Sequence, residues 1–442
     1  MKNDRGTLMS LSEELLAYGK SKGATQMEIS ISDGSEFSVD VREGEIERLV
    51  EAGQKRLALR VFVEGKVARA SSSDLSSETL RKLVDNAIER AKFATADQYA
   101  GLPEKGIIMA KHDELKIFDP GILEMPPEKK IAAAKETETI CLKDKRIKKS
   151  YGASFGTFAG ELILVNSNGF SGSYQRTSCS CSVGVQTGEG ENLFDEGWSD
   201  SSPNLDKLMR PEEIATIAIH RATRLIGGRK VQTQNVPVVF EPPMTGSLLS
   251  FLYTCVSGSN IYLKQSFLTG KLGERVGSDL VTVIDDGLMP GGPGTRPFDG
   301  EGVATRKSTV IESGVLKSYL LDTYAGRKLN MKSTGNASGA NNFYLAPGKH
   351  SPADIIKSVS KGLLLTDTIG FGLVPTTGDI SRGAVGMWIE KGELAYPVAE
   401  ITISGNLSQI LTGVEMIGND LDFRQSISGP TIKVKEMTIG GK

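Results

Sequence analysis

Histidine is scarce in this sequence, three in 442 residues, and cysteine nearly so, with four. His112, His220 and His350 stand too far apart to mark an imidazole pair by spacing. Cys141, Cys179, Cys181 and Cys255 are too few for a disulfide framework in so long a chain and suit a reducing compartment. No apolar run approaches the roughly 18 residues of a membrane-spanning helix, and residues 1–6 carry charge with no apolar stretch behind them. A cytoplasmic protein with no membrane partner is therefore expected. There is no basic tail or stripe either: the net charge is −2 and both signs are spread along the chain, so no nucleic-acid partner is expected. What is present is enough apolar residue content, 39%, for two or three cored domains.

Hydrophobic periodicity orders the chain. Residues 8–23 read as a helix, with Leu8, Leu11, Leu15 and Leu16 on one stripe. Residues 27–31 and 37–41 alternate as two strands, with Asp33-Gly34 between them as a turn signal, and residues 56–63 and 66–71 form a hairpin at Glu64-Gly65. Leu80, Leu83, Val84, Ala87, Ile88 and Ala91 then recur at helical spacing behind a Ser76/Ser77 cap. Residues 96–127 read as a linker wrapped over the surface.

The same logic then repeats: a helix over 128–142, strands over 148–158, 161–166 and 172–186, and a helix over 212–226 that begins at Pro211 and stops at Gly227-Gly228. From residue 236 the pattern becomes short β segments, at 236–240, 281–284, 308–311, 315–321, 387–390, 395–403 and 431–437, with helices over 243–256 and 352–361. Fifty glycines in the chain, many of them here, suit bulges and turns in a curved sheet. The expected fold class is α+β: helix/antiparallel-strand units with a hint of duplication, then a β-rich, barrel-like C-terminal domain. The expected domains are 1–115, 116–230 and 231–442.

Few residues invite chemistry. Asp285, Asp286, Asp299 and Glu301 form an acidic set able in principle to hold a hard cation or do acid–base work, although Asp-Asp-Gly is also ordinary turn chemistry and a cleft or interface role competes. Cys179 and Cys181, two apart on a strand, share one face and read as core, and His220 reads as a helix-surface or domain-contact residue. The Pro290-Gly291-Gly292-Pro293-Gly294 run lacks the context of a phosphate loop and reads as a flexible loop, suited to a lid or partner contact.

Eight C-terminal segments, at 266–274, 284–287, 298–302, 311–316, 321–329, 333–337, 377–384 and 400–407, together with 41–47 and 70–76, resemble the PmbA/TldD metalloprotease family, and its PmbA (TldE) branch in particular. The active branch of that family carries H-E-x-x-x-H on a helix and a C-terminal Cys as third ligand. Two imidazoles and a thiolate suit Zn²⁺, and the adjacent Glu can take a proton from bound water. Here the thirty residues from Met244 to Gly273 contain no His, Asp or Glu, and no cysteine follows Cys255.

The resemblance thus implies no catalytic residue, no metal ligand and no cofactor in this chain. Zinc is expected in a TldD-type partner subunit, and the pair would act on unfolded or peptide substrates. A homodimer is expected when that partner is missing. The family's older label, modulator of DNA gyrase, implies no DNA contact. Two rivals remain: a stand-alone peptidase with metal on the acidic set, and a non-enzymatic peptide-binding module.

Overall fold

The computed structural model describes residues 2–104, 112–190 and 192–441. The first unit is a helix (Lys2–Ser21), three strands (Gln26–Arg42, Glu45–Val63, Lys66–Ser72) and a helix (Ser77–Lys92). The second repeats this order with Pro127–Lys143, then Ile147–Asn166, Ser171–Glu189 and Asn192–Ser202, then Pro211–Thr223. Their strands make one six-stranded sheet in which each unit's first strand is central, so the order reads third-second-first, first-second-third. The central pair, Gln26–Arg42 and Ile147–Asn166, is antiparallel from Glu28 opposite Asn166 to Val41 opposite Ala153. The duplication hinted at in the sequence is thus an arrangement about a two-fold normal to the sheet.

The turn expected at Asp33-Gly34 is absent. Gln26–Arg42 is one continuous strand, and the chain reverses instead at Glu43-Gly44, where φ is 53° and 80°. Ile31 and Phe37 are an even number of residues apart, so both alternating segments point to the same face, which a single strand satisfies without a turn. Asp33 pairs with Lys55 at 3.0 Å, and a Cβ on Gly34 would lie 3.0 Å from the Phe158 ring, so the local glycine makes room for an aromatic. Residues 148–158 and 161–166 likewise belong to one strand, with Gly160 opposite Gly34. Buried Glu138 pins the true reversal, accepting hydrogen bonds from the N–H groups of Glu43 and Gly44 at 3.0 and 2.9 Å.

All four helices cover one face of this sheet. Leu8, Leu15, Leu80 and Val84 pack on Ile29, Ile31 and Leu57, while Ala134, Ile214 and Ala218 pack on Phe37, Val39, Cys181 and Val183. Alternation sends small polar residues, Ser30, Ser38, Ser154 and Ser182 among them, to the opposite face.

The C-terminal part contains a closed five-stranded barrel: Lys361–Ile369, Gln234–Phe240, Ile432–Gly440, Glu393–Asn406 and Asp379–Glu390, the last pairing back onto the first. A second sheet runs Val315–Leu316, Lys307–Glu312, Val283–Asp286, Asn342–Leu345, Ile427–Ser428. The helix Pro242–Val256 lies between barrel and sheet, burying Leu248, Leu249, Leu252 and Cys255 in their shared core. The helix expected over 352–361 ends at Lys357, and the next strand begins at Lys361; its apolar run, buried between parallel and antiparallel neighbours, carries no alternation to mark it. The strand expected over 315–321 is only Val315–Leu316.

Residues 96–127 do not merely wrap the surface. The Arg327 guanidinium donates to the carbonyls of Tyr99, Gly101 and Leu102, and Tyr324 donates to Asp97 at 2.6 Å. Leu115 and Ile117 join a small core with Phe170, Tyr174 and Phe298. No helix among the described residues is long and apolar enough to cross a membrane.

Candidate functional site

Pro242 and Pro243 occupy the first turn of the Pro242–Val256 helix, where missing N–H groups cost nothing. The Glu241 carboxylate at its N-cap does not cap it; it turns instead to Arg221 and Arg224. The apolar side of this helix is buried, and the opposite side, with Gly246, Ser247 and Ser250, floors a cleft of about 950 Å³. One wall is the Asn192–Ser202 strand with the end of the Pro211–Thr223 helix; the other is the loop from Asp420 to Thr431. Among the described residues Asn192–Ser202 is the outermost strand of its sheet, and no other strand pairs with its outer edge.

The walls are tied by buried charge. Arg221, its side chain 9% exposed, donates to Glu196 at 3.1 Å, to Glu241 at 3.0 Å and to the Thr366 carbonyl at 3.0 Å. Arg224 adds a two-pronged pair to Glu241 at 2.5 and 2.9 Å. Burial pushes the Glu196 carboxyl upward, opposed by the Arg221 charge. The guanidinium carbons of Arg221 and Arg424 lie 5.3 and 4.5 Å from the centre of the Trp198 ring, within cation–π reach.

Sequence reasoning missed these residues except His220, which lines the same cleft and is exposed. A signal was there: Arg221 falls on the apolar stripe of its helix with Ile214, Ala218 and Ala222, where an unpaired charge would not be tolerated.

The acidic set is split and fully occupied. Asp285, 1% exposed, accepts from the Asn336 amide and from both the side chain and N–H of Asn341, each at 2.8 Å. Asp286 accepts from the Leu288 N–H at 3.0 Å, with Lys307 3.6 Å away. Asp299 accepts from the N–H groups of Glu301, Val303 and Ala337. Glu301 accepts from Arg60 at 3.2 Å and from the Thr323 N–H at 3.0 Å. These carboxylates fold loops and join the first unit to the C-terminal part; none lines this cleft, while Glu301, with Glu28 and Arg60, lines a second cavity of about 450 Å³.

The glycine run is likewise held rather than flexible. Gly291 donates to the Leu115 carbonyl at 2.7 Å, Gly294 donates to Asn342 at 2.9 Å, and a Cβ on Gly294 would strike the Asn341 carbonyl. Cys179 and Cys181 are buried on the helix-covered face, and burial pushes the Cys179 thiol up to about 12.

Arg60 bridges Glu301 and Glu28, each pair 3.2 Å apart, with these side chains 10–14% exposed. Burial, helped by the charges of Glu301 and Asp299 and opposed by Arg60, raises the Glu28 carboxyl from 4.5 to about 6. The fold therefore favours protonated Glu28: its stabilising contribution is full below about pH 4.5 and is lost as the pH rises through about 6. That shift corresponds to roughly 2 kcal/mol. Urea unfolding of the Glu28→Gln variant between these pH values is expected to show a flatter pH dependence than the unaltered chain, and parallel profiles would refute the assignment. Asp285 and Asp299 move in the same direction through burial.

Three family models cover this architecture in register: PmbA/TldA metallopeptidase domain 1 at residues 27–91, the central domain at 120–226 and the C-terminal domain at 233–441. The chain is 33% identical over 428 residues to the metalloprotease PmbA of Escherichia coli O157:H7, covering 97% of this chain and 94% of that one. It belongs to the PmbA/TldD metallopeptidase family. A PmbA homologue from Haemophilus influenzae is 31% identical over 95% of this chain and 93% of its own. A Bacteroides thetaiotaomicron protein crystallised as a candidate modulator of DNA gyrase superposes with a TM-score of 0.92 at 30% identity, covering 98% of both chains. TldE from Thermococcus kodakarensis shares the fold, with a TM-score of 0.86 at 23% identity over 98% of this chain and all of that one.

The metallopeptidase name implies a metal, zinc in the active branch that the sequence resembles, and the cleft can be tested for it. The Asp420–Thr431 loop packs directly on the Pro242–Val256 helix: a Cβ on Gly429 would strike Thr245 and lie 3.0 Å from Leu249. Loop and helix are therefore neighbours, and they meet through glycine, hydroxyl and apolar groups. Glu196 and Glu241 are committed to arginines, Asp420 to Thr431 and Asp422 to Arg424. The orphaned polar atoms here, Thr245 Oγ1, Trp198 Nε1 and the Nε of Arg224 and Arg424, are a hydroxyl and N–H donors, which do not bind Zn²⁺. Among the described residues no three His, Cys, Asp or Glu side chains converge as a metal-holding group. This donor set does not fit a zinc ion.

Proposed function

We propose that this chain is the PmbA/TldE-type subunit of a two-component cytoplasmic metalloprotease, pairing with a zinc-bearing TldD-type chain and forming one wall of the space that holds an unfolded or peptide substrate. The observation that carries this reading is the cleft floor: the helix facing the Asp420–Thr431 loop offers Gly246, Ser247 and Ser250 where the active branch needs imidazoles and a carboxylate. The unpaired outer edge of Asn192–Ser202 beside this floor supports a substrate held as an added strand, with backbone hydrogen bonds giving grip independent of sequence. Relatives of both kinds support a two-component family, since a TldD homologue from Buchnera aphidicola is 31% identical over 201 residues, 40% of this chain.

The purified chain alone is expected to carry no stoichiometric zinc and to leave an unfolded protein substrate intact, and to cleave it only when mixed with an H-E-x-x-x-H chain of the family. Stoichiometric zinc with turnover by the isolated chain would establish the stand-alone peptidase instead. Failure to bind any zinc-bearing family member would leave a non-enzymatic peptide-binding module.

A further inference from the structure

The second cavity, of about 450 Å³, opens on the uncovered face of the six-stranded sheet, and strand register explains its shape. Ser30, Ala58 and Ser71 stand opposite one another on the three strands of the first unit, and all three line it. A row of small side chains across a sheet leaves a trough. Two positions along on the same face, Glu28, Arg60 and Arg69 form the next row, and Arg56 flanks the trough on its other side. Glu301 and Asp322 enter from the C-terminal part.

The charges here are unequally committed. Glu28 and Glu301 both hold Arg60 at 3.2 Å, and Asp322 accepts from the Ala325 N–H at 2.6 Å. The other two cations are freer. Arg56 donates to the Ser71 hydroxyl at 2.7 Å, which draws it across the trough, and among the described residues Arg69 has no hydrogen-bond or ion-pair partner. Arg69 also stands directly opposite Arg60 on the neighbouring strand, where like charges repel. An anion beside Arg69 relieves that repulsion.

We infer that this trough binds the carboxylate of a peptide, gripped by Arg56 and Arg69 over the hydroxyls of Ser30 and Ser71. The inference rests on the reading of this chain as one wall of a peptide-holding space. A planar monoanion suits guanidinium forks, whereas a phosphate dianion would bring a second negative charge toward Glu301 and Asp322. Trough and cleft also share a face. Ser30 lies beside Leu164, and Ser182 of the cleft lies beside Ser154 on the same strand, about 33 Å away at 3.3 Å per residue. An extended peptide of about ten residues or more spans both.

Fluorescence anisotropy tests this with a labelled peptide of about twelve Gly, Ser and Ala residues, ending in a free carboxylate or in an amide. The amide is expected to bind about tenfold or more weakly, the worth of a hydrogen-bonded charge. The Arg56→Gln/Arg69→Gln variant is expected to lose this preference at an undiminished urea midpoint, since both side chains are exposed. An amidated peptide with one glutamate near its end separates the sources: binding as tight as the free acid assigns the site to acidic side chains, and binding as weak as the plain amide assigns it to the terminus. Equal binding of acid and amide, a preference that survives in the double variant, or displacement by inorganic phosphate where acetate has no effect overturns the inference. A chain that pairs with a zinc-bearing family member yet treats acid and amide alike loses the trough and keeps the subunit reading. One that pairs with none yet shows the arginine-dependent preference keeps the trough and loses the subunit.

Discussion

Arg60→Ala is expected to lower the unfolding free energy by about 3–5 kcal/mol near neutral pH, the range found when one partner of a buried ion network is removed. Arg60 lies between Glu28 and Glu301, at 3.2 Å from each, and all three side chains are at most 14% exposed. Deleting the guanidinium leaves two carboxylates desolvated and close, with Asp299 adding to the repulsion at Glu28. The loss is expected to shrink as the pH falls toward about 6, because Arg60 opposes the burial that raises Glu28, so without it the carboxyl discharges by taking a proton at higher pH than in the unaltered chain. The triple variant Glu28→Gln/Arg60→Met/Glu301→Gln is expected to recover much of the stability, since it removes the charges together and keeps an acceptor for the Thr323 N–H. Urea unfolding of the single and triple variants decides the matter; a single-variant loss under 1 kcal/mol would mean water reaches these carboxylates.

The second large effect concerns Asp285. Asp285→Ala removes the acceptor for three hydrogen bonds from Asn336 and Asn341, in a site where Asp285 and Asn341 are each 1% exposed. Orphaned buried donors cost about 1–3 kcal/mol each, so a loss of about 3–5 kcal/mol is expected. Divalent-metal binding, read by calorimetry at a temperature where the variant is folded, is expected to be unchanged. A variant of normal stability that loses a bound cation would turn the acidic set into a metal site and revive the stand-alone peptidase.

Local signals led to the elements more reliably than to their ends. The alternation at 27–31 and 37–41 marked strand correctly, yet the turn assigned to Asp33-Gly34 competed with a phase relation that already favoured one long strand. Glycine there answers a neighbouring ring, Phe158, which lies more than a hundred residues away in sequence and carries no local mark. The same holds for the glycines at 291–294, whose tight approach to Asn341 and Asn342 turns a run that reads as flexible into a pinned loop. At 361–369 the missing alternation has a plain cause, burial on both faces of a barrel strand.

Sequence alone determined what chemistry is available: which segments alternate, where imidazole, thiolate and carboxylate are missing between Met244 and Gly273, and which family the motifs belong to. Composition is a property of the chain, so a missing donor set is legible without any coordinates. Only the tertiary structure decided which side chains meet. It brought Arg221, Glu196 and Glu241 together around a cleft, dispersed the four acids into loop anchors, and set Arg56 and Arg69 about a row of small side chains. Those outcomes depend on sheet register and on contacts between residues remote in sequence, which no local pattern encodes.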